Sequence, residues 1–372
     1  MRQILLAALV AAPLSVHAAD APAIKTTDVF IPWTSTLPAD AGQIVALHLI
    51  HKQAANPKGV VLFVHGATGP AEPDFDLNFK DYNWMQRMAQ AGYDSWAIDL
   101  TGYGSSPRPG LDNPCNADPA QQEKLLVGHP LKAVCAASAP QMMSTIKDEW
   151  REIDAAVDHI RKATKRAKID IIGWSAGGPR VGGYVAQHGE KINRVFLYAP
   201  SAPNPDLKIP DTPNAGVPLY IQTKQVFLKD RWSDNAKCEG EIEPGVQDAV
   251  WKSTLDWDRI GAGWGGPEGV MRAPVLKDFG WTPELAAKVT APTVVIVGEF
   301  DTPDVRKKAF DAIGATNKVF IRVACSTHFM VWEKQHTLLQ RLSLEWLSTG
   351  KIAGASHGMF AADANGKLSE MK

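Results

Sequence analysis

The pattern of apolar residues along the chain predicts β-strands separated by helices. Residues 59–64 read GVVLFV, a continuous apolar run that is typical of a buried strand. Between residues 142 and 165, apolar residues recur at steps of three and four, as on the buried face of a helix. These residues are Ile146, Trp150, Ile153, Val157 and Ile160. Further strands are predicted at residues 28–32, 43–51, 93–100, 168–173, 192–198, 292–297 and 318–323.

The order of these elements predicts an α/β protein with a mostly parallel central sheet flanked by helices, because strand and helix alternate after residue 168. The alternation stops at residues 202–289, which carry prolines, short helical stretches and five tryptophans. We therefore expect a core formed by residues 19–201 and 290–349, with residues 202–289 inserted as a cap. Residues 350–372 are rich in Gly, Ala and Ser and are expected to form a flexible tail.

The first 18 residues have the pattern of a cleavable signal peptide. Arg2 precedes an apolar run, and Val16 with Ala18 forms a small-residue cleavage pattern. An N-terminal membrane anchor is the alternative, but the run is shorter than the roughly 20 residues that span a bilayer. The protein is therefore expected in the periplasm or outside the cell, without a membrane span.

The charge of the chain argues against nucleic-acid binding. The sequence has 39 Lys and Arg against 40 Asp and Glu, a net charge of −1, and cleavage of the first 18 residues would remove Arg2 and leave −2. Such a chain has no basic field to hold a nucleic acid. The CxxC and HExxH spacings of zinc sites are absent as well, so no metal and no cofactor is predicted. The sequence leaves the oligomeric state open.

Four cysteines are candidates for disulfide bonds, namely Cys115, Cys135, Cys238 and Cys325. An oxidising compartment would allow two bonds, and three pairings are possible. Cys115 and Cys135 flank one loop-rich stretch, which favours a bond between them and leaves Cys238 to pair with Cys325. Four free, buried thiols are the alternative.

A serine between two glycines lies where a predicted strand meets a predicted helix. The segment reads Gly173-Trp174-Ser175-Ala176-Gly177. Small residues let the chain turn sharply, and the helix N-terminus favours negative charge that develops near Ser175. Ser175 is therefore the candidate nucleophile. The neighbouring Trp174 is predicted either to pack against the sheet or to line a substrate pocket.

A glycine-rich loop follows the strand at residues 59–64 and is a candidate oxyanion loop. It reads His65-Gly66-Ala67-Thr68-Gly69. The backbone N–H groups of Ala67 and Ala176 are the predicted pair that would face a tetrahedral oxyanion, and both residues are small enough for a substrate to approach. An ordinary glycine-rich turn is the alternative for the loop.

A nucleophilic serine needs a histidine base and a carboxylate that orients it. His328 is the candidate base, because it lies in a short loop directly after the predicted strand at residues 318–323. Asp301 is the candidate acid, because it follows another predicted strand, although it could instead cap the next helix. Glu299 and Asp304 are its rivals.

These motifs, in the chain order Ser175, Asp301 and His328, resemble the α/β-hydrolase superfamily. The resemblance covers about residues 40–200 and 287–349 and implies the fold of that superfamily with an inserted cap. It also implies acyl transfer through Ser175. The expected activity is hydrolysis of a small-molecule carboxylic ester.

Two other functions remain open at this point. An amidase or aminopeptidase of the same fold could use Glu241, Glu243 or Asp248 to bind a free amine, although such acids are more commonly solvated. A catalytically silent ligand-binding module is the second alternative. The tryptophans of the predicted cap could line an apolar pocket or form the small core of the cap.

Overall fold

The structure, a computed structural model, describes residues 24–371 and shows a ten-stranded sheet and a separate two-stranded sheet. The predicted signal peptide, residues 1–18, lies outside the described residues. The strands are β1 (Lys25–Thr34), β2 (Ile44–Gln53), β3 (Gly59–Val64), β4 (Tyr93–Asp99), β5 (Ile169–Trp174), β6 (Ile192–Tyr198), β7 (Leu219–Thr223), β8 (Val270–Pro274), β9 (Thr293–Gly298), β10 (Lys318–Val323), β11 (Gly358–Ala362) and β12 (Leu368–Glu370).

The large sheet has the strand order β1-β2-β4-β3-β5-β6-β9-β10-β11-β12. From β4 to β11 in this order, neighbouring strands pair in parallel. Strands β1, β2 and β12 form antiparallel pairs at the two edges. The predicted α/β architecture with a mostly parallel sheet is confirmed.

Helices lie between the parallel strands, and others lie in the proline-rich segment and in residues 202–289. They are α1 (Ala71–Phe75), α2 (Trp84–Gln90), α3 (Pro119–Gln121), α4 (Ile146–Thr164), α5 (Gly177–His188), α6 (Val246–Asp256), α7 (Arg259–Ala262), α8 (Pro283–Lys288), α9 (Pro303–Ala312) and α10 (His336–Thr349). Helix α4 begins at a capping box, in which Thr145 and Asp148 each accept the other's backbone N–H. Among residues 24–371, no helix combines the length and the apolar character that crossing a membrane requires.

The core lies on both faces of the large sheet, and β3 shows why its sequence is apolar throughout. Val61 and Phe63 pack into the core on one face, together with residues of α2 and α10. Val60, Leu62 and Val64 pack into the core on the other face, together with residues of α4 and α5. Because successive side chains of a strand point to opposite faces, a strand covered on both sides loses the usual alternation of apolar and polar residues.

The predicted cap, residues 202–289, contains strands that its sequence pattern does not reveal. Strands β7 and β8 pair with each other as an antiparallel sheet outside the main one. The proline-rich segment before α4 packs against them, since Ala117 forms a β-bridge with Leu219. Apolar residues of both segments share one cluster, which includes Leu111, Ala117, Leu126, Leu219, Ile221, Trp264 and Val270. This outer layer is therefore built from two separate stretches of the chain.

Two disulfide bonds join the cysteines in the pairing that the sequence favours. One links Cys115 to Cys135 within the proline-rich segment. The other links Cys238 to Cys325 and so attaches the predicted cap to the loop after β10. That loop also carries His328, so a covalent bond restrains the cap close to the predicted base.

The C-terminal residues differ from the prediction of a flexible tail over residues 350–372. Strand β11 pairs in parallel with β10, and β12 pairs with β11. Phe360 and Ala362 are buried in this arrangement. The segment has little local strand propensity, but the free edge of β10 offers hydrogen-bonding partners that a local sequence pattern cannot reveal.

Candidate active site

Ser175 lies in the tight turn between β5 and α5, in an uncommon backbone conformation. Its φ is +56°, in the left-handed region that few non-glycine residues adopt. A Cβ atom at Gly173 would lie 2.4 Å from the carbonyl oxygen of Gly177, and one at Gly177 would lie 2.2 Å from that of Val64. Glycine is therefore required at both positions, which explains the motif around the serine.

The residues predicted as nucleophile, base and acid lie within hydrogen-bonding distance of one another. His328 Nε2 is 2.8 Å from Ser175 Oγ, and His328 Nδ1 is 2.9 Å from Asp301 Oδ2. The three follow β5, β10 and β9, whose carboxyl ends meet at one edge of the parallel sheet. Of the rival acids, Glu299 accepts a backbone N–H at 3.1 Å, and Asp304 is exposed on α9.

The position and charge state of His328 are set by its surroundings. Its backbone carbonyl accepts hydrogen bonds from Tyr198 Oη at 2.6 Å and from Trp174 Nε1 at 3.1 Å. Burial lowers the pKa of the imidazole, although the nearby Asp301 carboxylate opposes this effect. A neutral imidazole with Nδ1–H directed at Asp301 leaves Nε2 free to accept the Ser175 proton.

Sequence reasoning did not single out Arg306, which contacts the predicted acid. Its Nη2 donates to Asp301 Oδ1 at 2.6 Å, and its Nε is 2.6 Å from Oδ2. Nη1 donates to the carbonyl oxygens of Ala199 at 2.9 Å and Pro200 at 3.1 Å, in the loop after β6. Arg306 therefore connects the acid to a neighbouring loop. In the sequence, the one signal for a contact with Asp301 is that Arg306 follows it by about one turn of a helix.

The loop after β3 packs directly against the turn that carries Ser175. A Cβ atom at Gly66 would meet Ser175 Cβ at 3.4 Å, which is an ordinary contact. Ala67 lines the cavity beside the serine, and Ala176 precedes the first turn of α5. Within residues 24–371, neither the Ala67 nor the Ala176 backbone N–H donates a hydrogen bond. Both N–H groups are therefore free to donate a hydrogen bond to an oxyanion.

Two buried side chains hold the carbonyl groups of this loop. Arg180 forms an ion pair with Glu149 at 2.7 Å, and its Nη1 donates to the Gly66 carbonyl oxygen at 2.8 Å. His65 Nδ1 is 2.8 Å from the same oxygen, and its Nε2 accepts the Leu100 N–H at 3.1 Å. Burial lowers the pKa of His65 to about 3, so this imidazole is neutral and acts as a structural donor.

The cavity beside Ser175 is small and has aromatic walls. Its volume is about 20 Å³, room for about one water molecule. It is lined by Gly66, Ala67, Thr68, Gly69, Asp74, Trp174, Ser175, Phe227, Arg231, His328, Phe329 and Trp332. A substrate must therefore displace some of these side chains on entry. A wider surface cleft, about 750 Å³, lies between α2 and α10 and is lined by none of the predicted site residues.

The aromatic residues of the cavity are only partly those that the sequence suggests. Trp174 lines the cavity and also packs in the core of the sheet, where its ring stacks on Tyr198 with the ring centres 5.6 Å apart. The tryptophans at 232, 251, 264 and 281 are buried and Trp257 is half-buried, and none of the five lines the cavity. The buried tryptophans do not share one cap core. Trp232 and Trp251 pack in the core on one face of the large sheet, Trp281 packs in the core on the other face, and Trp264 packs in the cluster of the outer layer. Phe227, Phe329 and Trp332 were missed, because nothing in the sequence places them beside Ser175.

One acidic side chain of the cavity was also missed. Asp74, on α1, is 2% exposed, and its Oδ2 accepts the Gly66 N–H at 3.3 Å. Burial raises the pKa of this carboxyl group well above its usual range. Burial therefore favours the neutral form of the Asp74 carboxyl group, which lies beside the candidate oxyanion loop.

The acidic residues considered for amine recognition lie elsewhere. Glu241 is buried, and its carboxylate accepts the backbone N–H of Cys238 at 3.0 Å. Glu243 pairs with Lys80, and the exposed Asp248 lies 3.1 Å from Lys224. None of the three acids lines the cavity beside Ser175. The structure therefore offers no support for an aminopeptidase.

The chain is similar to known proteins in a family sequence profile and in fold. The sequence profile of the alpha/beta hydrolase family matches residues 61–340. A search of curated protein sequences finds no match.

Solved structures with a similar fold include several hydrolases. A thermophilic esterase from Thermogutta terrifontis has a TM-score of 0.51 and 14% identity, over 86% of this chain and 98% of that one. A monoacylglycerol lipase from Paleococcus ferrophilus has a TM-score of 0.50 and 17% identity, over 82% and 99%. A serine hydrolase from Cycloclasticus zankles has a TM-score of 0.50 and 13% identity, over 88% and 99%. At these identities the similarity concerns the fold alone.

Proposed function

The chain belongs to the alpha/beta hydrolase family, and we propose that it hydrolyses carboxylic esters through an acyl-enzyme on Ser175. The observation that carries this proposal is the hydrogen-bonded series of Ser175, His328 and Asp301, with distances of 2.8 Å and 2.9 Å. This arrangement activates a serine hydroxyl for attack on a carbonyl carbon.

In the proposed first half-reaction, Ser175 Oγ attacks the ester carbonyl while His328 Nε2 takes the hydroxyl proton. The Ala67 and Ala176 N–H groups would stabilise the oxyanion. The tetrahedral species then breaks its bond to the alcohol oxygen, and His328 returns the proton to that oxygen. Asp301 stabilises the imidazolium in both steps, and Arg306 keeps the carboxylate in place.

In the second half-reaction, a water molecule attacks the acyl-enzyme, and His328 takes one of its protons. Collapse of the second tetrahedral species releases the carboxylic acid, and the same proton returns to Ser175 Oγ. The site needs no further reactant besides water. This cycle consumes one ester and one water and yields one acid and one alcohol.

An ester is a better candidate than an amide because an alkoxide leaves more easily than an amine. The acids considered for binding a free amine also lie away from the cavity. Since the cavity is small, we infer a small-molecule substrate.

The cellular location and the domain division also belong to this proposal. We infer that residues 1–18 are removed as a signal peptide and that the mature protein acts in the periplasm or outside the cell. The two disulfide bonds support this inference, because such bonds persist in oxidising compartments. We further infer that residues 202–289 act as a cap over the core of residues 19–201 and 290–349.

Hydrolysis of p-nitrophenyl esters, from acetate to long acyl chains, tests the function. We expect turnover by the mature protein and a loss of about 10⁵-fold or more in kcat for Ser175→Ala. The exposed Ser369 offers a matched control, and Ser369→Ala should retain activity. The proposal is wrong if Ser175→Ala retains wild-type turnover, or if the wild type shows none and a fluorophosphonate fails to label it.

A further inference from the structure

Arg231 is a cationic side chain in the wall of the cavity that holds Ser175 and His328. It follows the helical segment Gln225–Asp230 and is half-buried. The guanidinium carbon lies 6.0 Å from the ring centre of Phe227 and 5.8 Å from that of Phe329. A charge in such apolar surroundings has an unfavourable free energy unless polar partners compensate for the lost water.

Among the described residues, the side chain that partners this charge is neutral. Arg231 Nη1 donates to Gln222 Oε1 at 3.0 Å. Within residues 24–371, no carboxylate lies within 4.0 Å of the guanidinium nitrogens. The aromatic rings offset part of the cost by cation–π attraction, but they cannot neutralise the charge.

Three other arginines that are buried or half-buried each have a carboxylate partner. Arg180 pairs with Glu149 at 2.7 Å, and Arg272 pairs with Asp258 at 2.6 Å. Arg306 pairs with Asp301 at 2.6 Å. Arg231 differs from these three because it has no carboxylate partner among the described residues, and it lies in the wall of the cavity beside Ser175.

The free hydrogen-bond donors of Arg231 have a defined geometry. Nη1 is occupied by Gln222, whereas Nε and Nη2 donate to no group among the described residues. These two nitrogens form one edge of the planar guanidinium. Two parallel N–H groups on one edge match the two oxygens of a carboxylate.

We propose that Arg231 binds a carboxylate of the substrate, so that the preferred substrates are esters that carry a second, free carboxylate group. This inference rests on the proposed ester hydrolysis. Half-esters of dicarboxylic acids have this chemistry. The cavity wall around the guanidinium then desolvates the ion pair and strengthens it. Gln222 is a positioning residue that holds Nη1 and leaves the opposite edge free.

A comparison of matched methyl esters tests the proposal. Monomethyl glutarate carries the carboxylate, and methyl 5-methylhexanoate replaces it with an isopropyl group of similar shape. Monomethyl succinate and monomethyl adipate vary the distance between ester and carboxylate. Initial rates are followed by pH-stat titration with the wild type, Arg231→Gln, Arg231→Lys and Arg259→Gln. Arg259 is an exposed arginine of the predicted cap and serves as the matched control.

We expect the wild type to prefer the best half-ester over its neutral counterpart by about tenfold or more in kcat/KM. Arg231→Gln should lower kcat/KM for the half-ester by about ten- to a hundredfold, mainly through KM, and should lower kcat/KM for the neutral ester by a clearly smaller factor, so that the preference for the half-ester is lost. Arg231→Lys should be intermediate, and Arg259→Gln should match the wild type. Equal losses for both esters in Arg231→Gln, or a wild type without preference for any half-ester, would overturn the proposal.

A binding measurement separates this proposal from the proposed function. The heat of binding of each half-ester is measured with Ser175→Ala and with the double variant Ser175→Ala/Arg231→Gln. Binding that requires Arg231, in a wild type without ester turnover, would keep the anion site and reject the ester hydrolase. Turnover of neutral esters together with binding that does not depend on Arg231 would reject the anion site alone.

Discussion

The indole nitrogen of Trp232 donates a hydrogen bond of 3.0 Å to the carboxyl group of Glu333. The same carboxyl group accepts the backbone N–H of Thr327 at 2.8 Å. Trp232 belongs to the predicted cap, and Thr327 directly precedes His328. Glu333 is fully buried, and burial raises its pKa to about 8. One buried carboxyl group therefore joins the cap to the loop of the predicted base.

The raised pKa of Glu333 predicts a pH-dependent contribution to stability. In the unfolded chain this carboxyl group ionises near the usual pKa of 4.5, but burial in the folded chain raises its pKa to about 8. Its contribution is therefore fully present below pH 4.5 and is lost as the pH rises towards 8. Glu333→Gln cannot ionise and should flatten this decline, at most by about 1.4 kcal/mol per pH unit.

Urea unfolding at pH 5.5, 6.5 and 8 measures this effect. Glu333→Gln should be less stable than the wild type at pH 5.5, because an amide cannot satisfy all the donors that Glu333 accepts. The deficit should shrink as the pH rises. Glu370→Gln, at the exposed end of β12, is the control and should keep the pH dependence of the wild type. If the free energy of unfolding of Glu333→Gln stays below that of the wild type by the same amount from pH 5.5 to 8, the pKa of Glu333 is not raised in the folded chain.

Replacement of Arg306 should lower the activity, because this side chain positions the Asp301 carboxylate and does more than supply a positive charge. The Nη2 and Nε atoms of Arg306 contact the two carboxylate oxygens of Asp301. Arg306→Met should therefore misplace the acid and lower kcat by about a hundredfold, with little effect on KM. Arg306→Lys should recover only part of the rate, because one ammonium group cannot replace two parallel N–H donors. The exposed Lys308 on the same helix gives the control Lys308→Met. Full activity in Arg306→Met would exclude this positioning role.

The lowered pKa of His328 should set the acid limb of the pH–rate profile. Burial lowers its pKa below the usual 6.5, and the base must be neutral to act. Activity should therefore persist below pH 6.5 and fall only as the pH drops through this lowered value. The Arg306 charge contributes to the lowering, since its Nη2 lies 3.1 Å from His328 Nδ1. The acid limb of kcat/KM should shift to higher pH in Arg306→Met, and a shift to lower pH would show that the Arg306 charge does not lower the pKa of His328.

The sequence reveals those parts of the fold that depend on local pattern. The apolar run of β3 and the glycines around Ser175 can be recognised because strand burial and a sharp turn restrict the residues at each position. Strand β11 could not be recognised, because its stability comes from pairing with β10, which is distant in the chain.

In the candidate site, too, some residues can be recognised from the sequence, whereas others depend on contacts between distant segments. Ser175, Asp301 and His328 follow parallel strands, so the chain order alone suggests that they meet at one sheet edge. Arg231 and Glu333 depend on how the segment from 202 to 289 packs against the core. That packing joins residues far apart in sequence, such as Trp232 and Glu333, and leaves no local pattern.

The proposed hydrolysis requires Ser175 to act as a nucleophile that His328 activates. Peptide mapping by mass spectrometry, after reaction of the mature protein with a fluorophosphonate, tests this requirement. We expect one phosphonate adduct, on the peptide that contains Ser175, at a rate that falls by orders of magnitude in His328→Ala. We expect no adduct in Ser175→Ala. An adduct on another residue, or equal labelling of the wild type and His328→Ala, would show that Ser175 is not a nucleophile activated by His328.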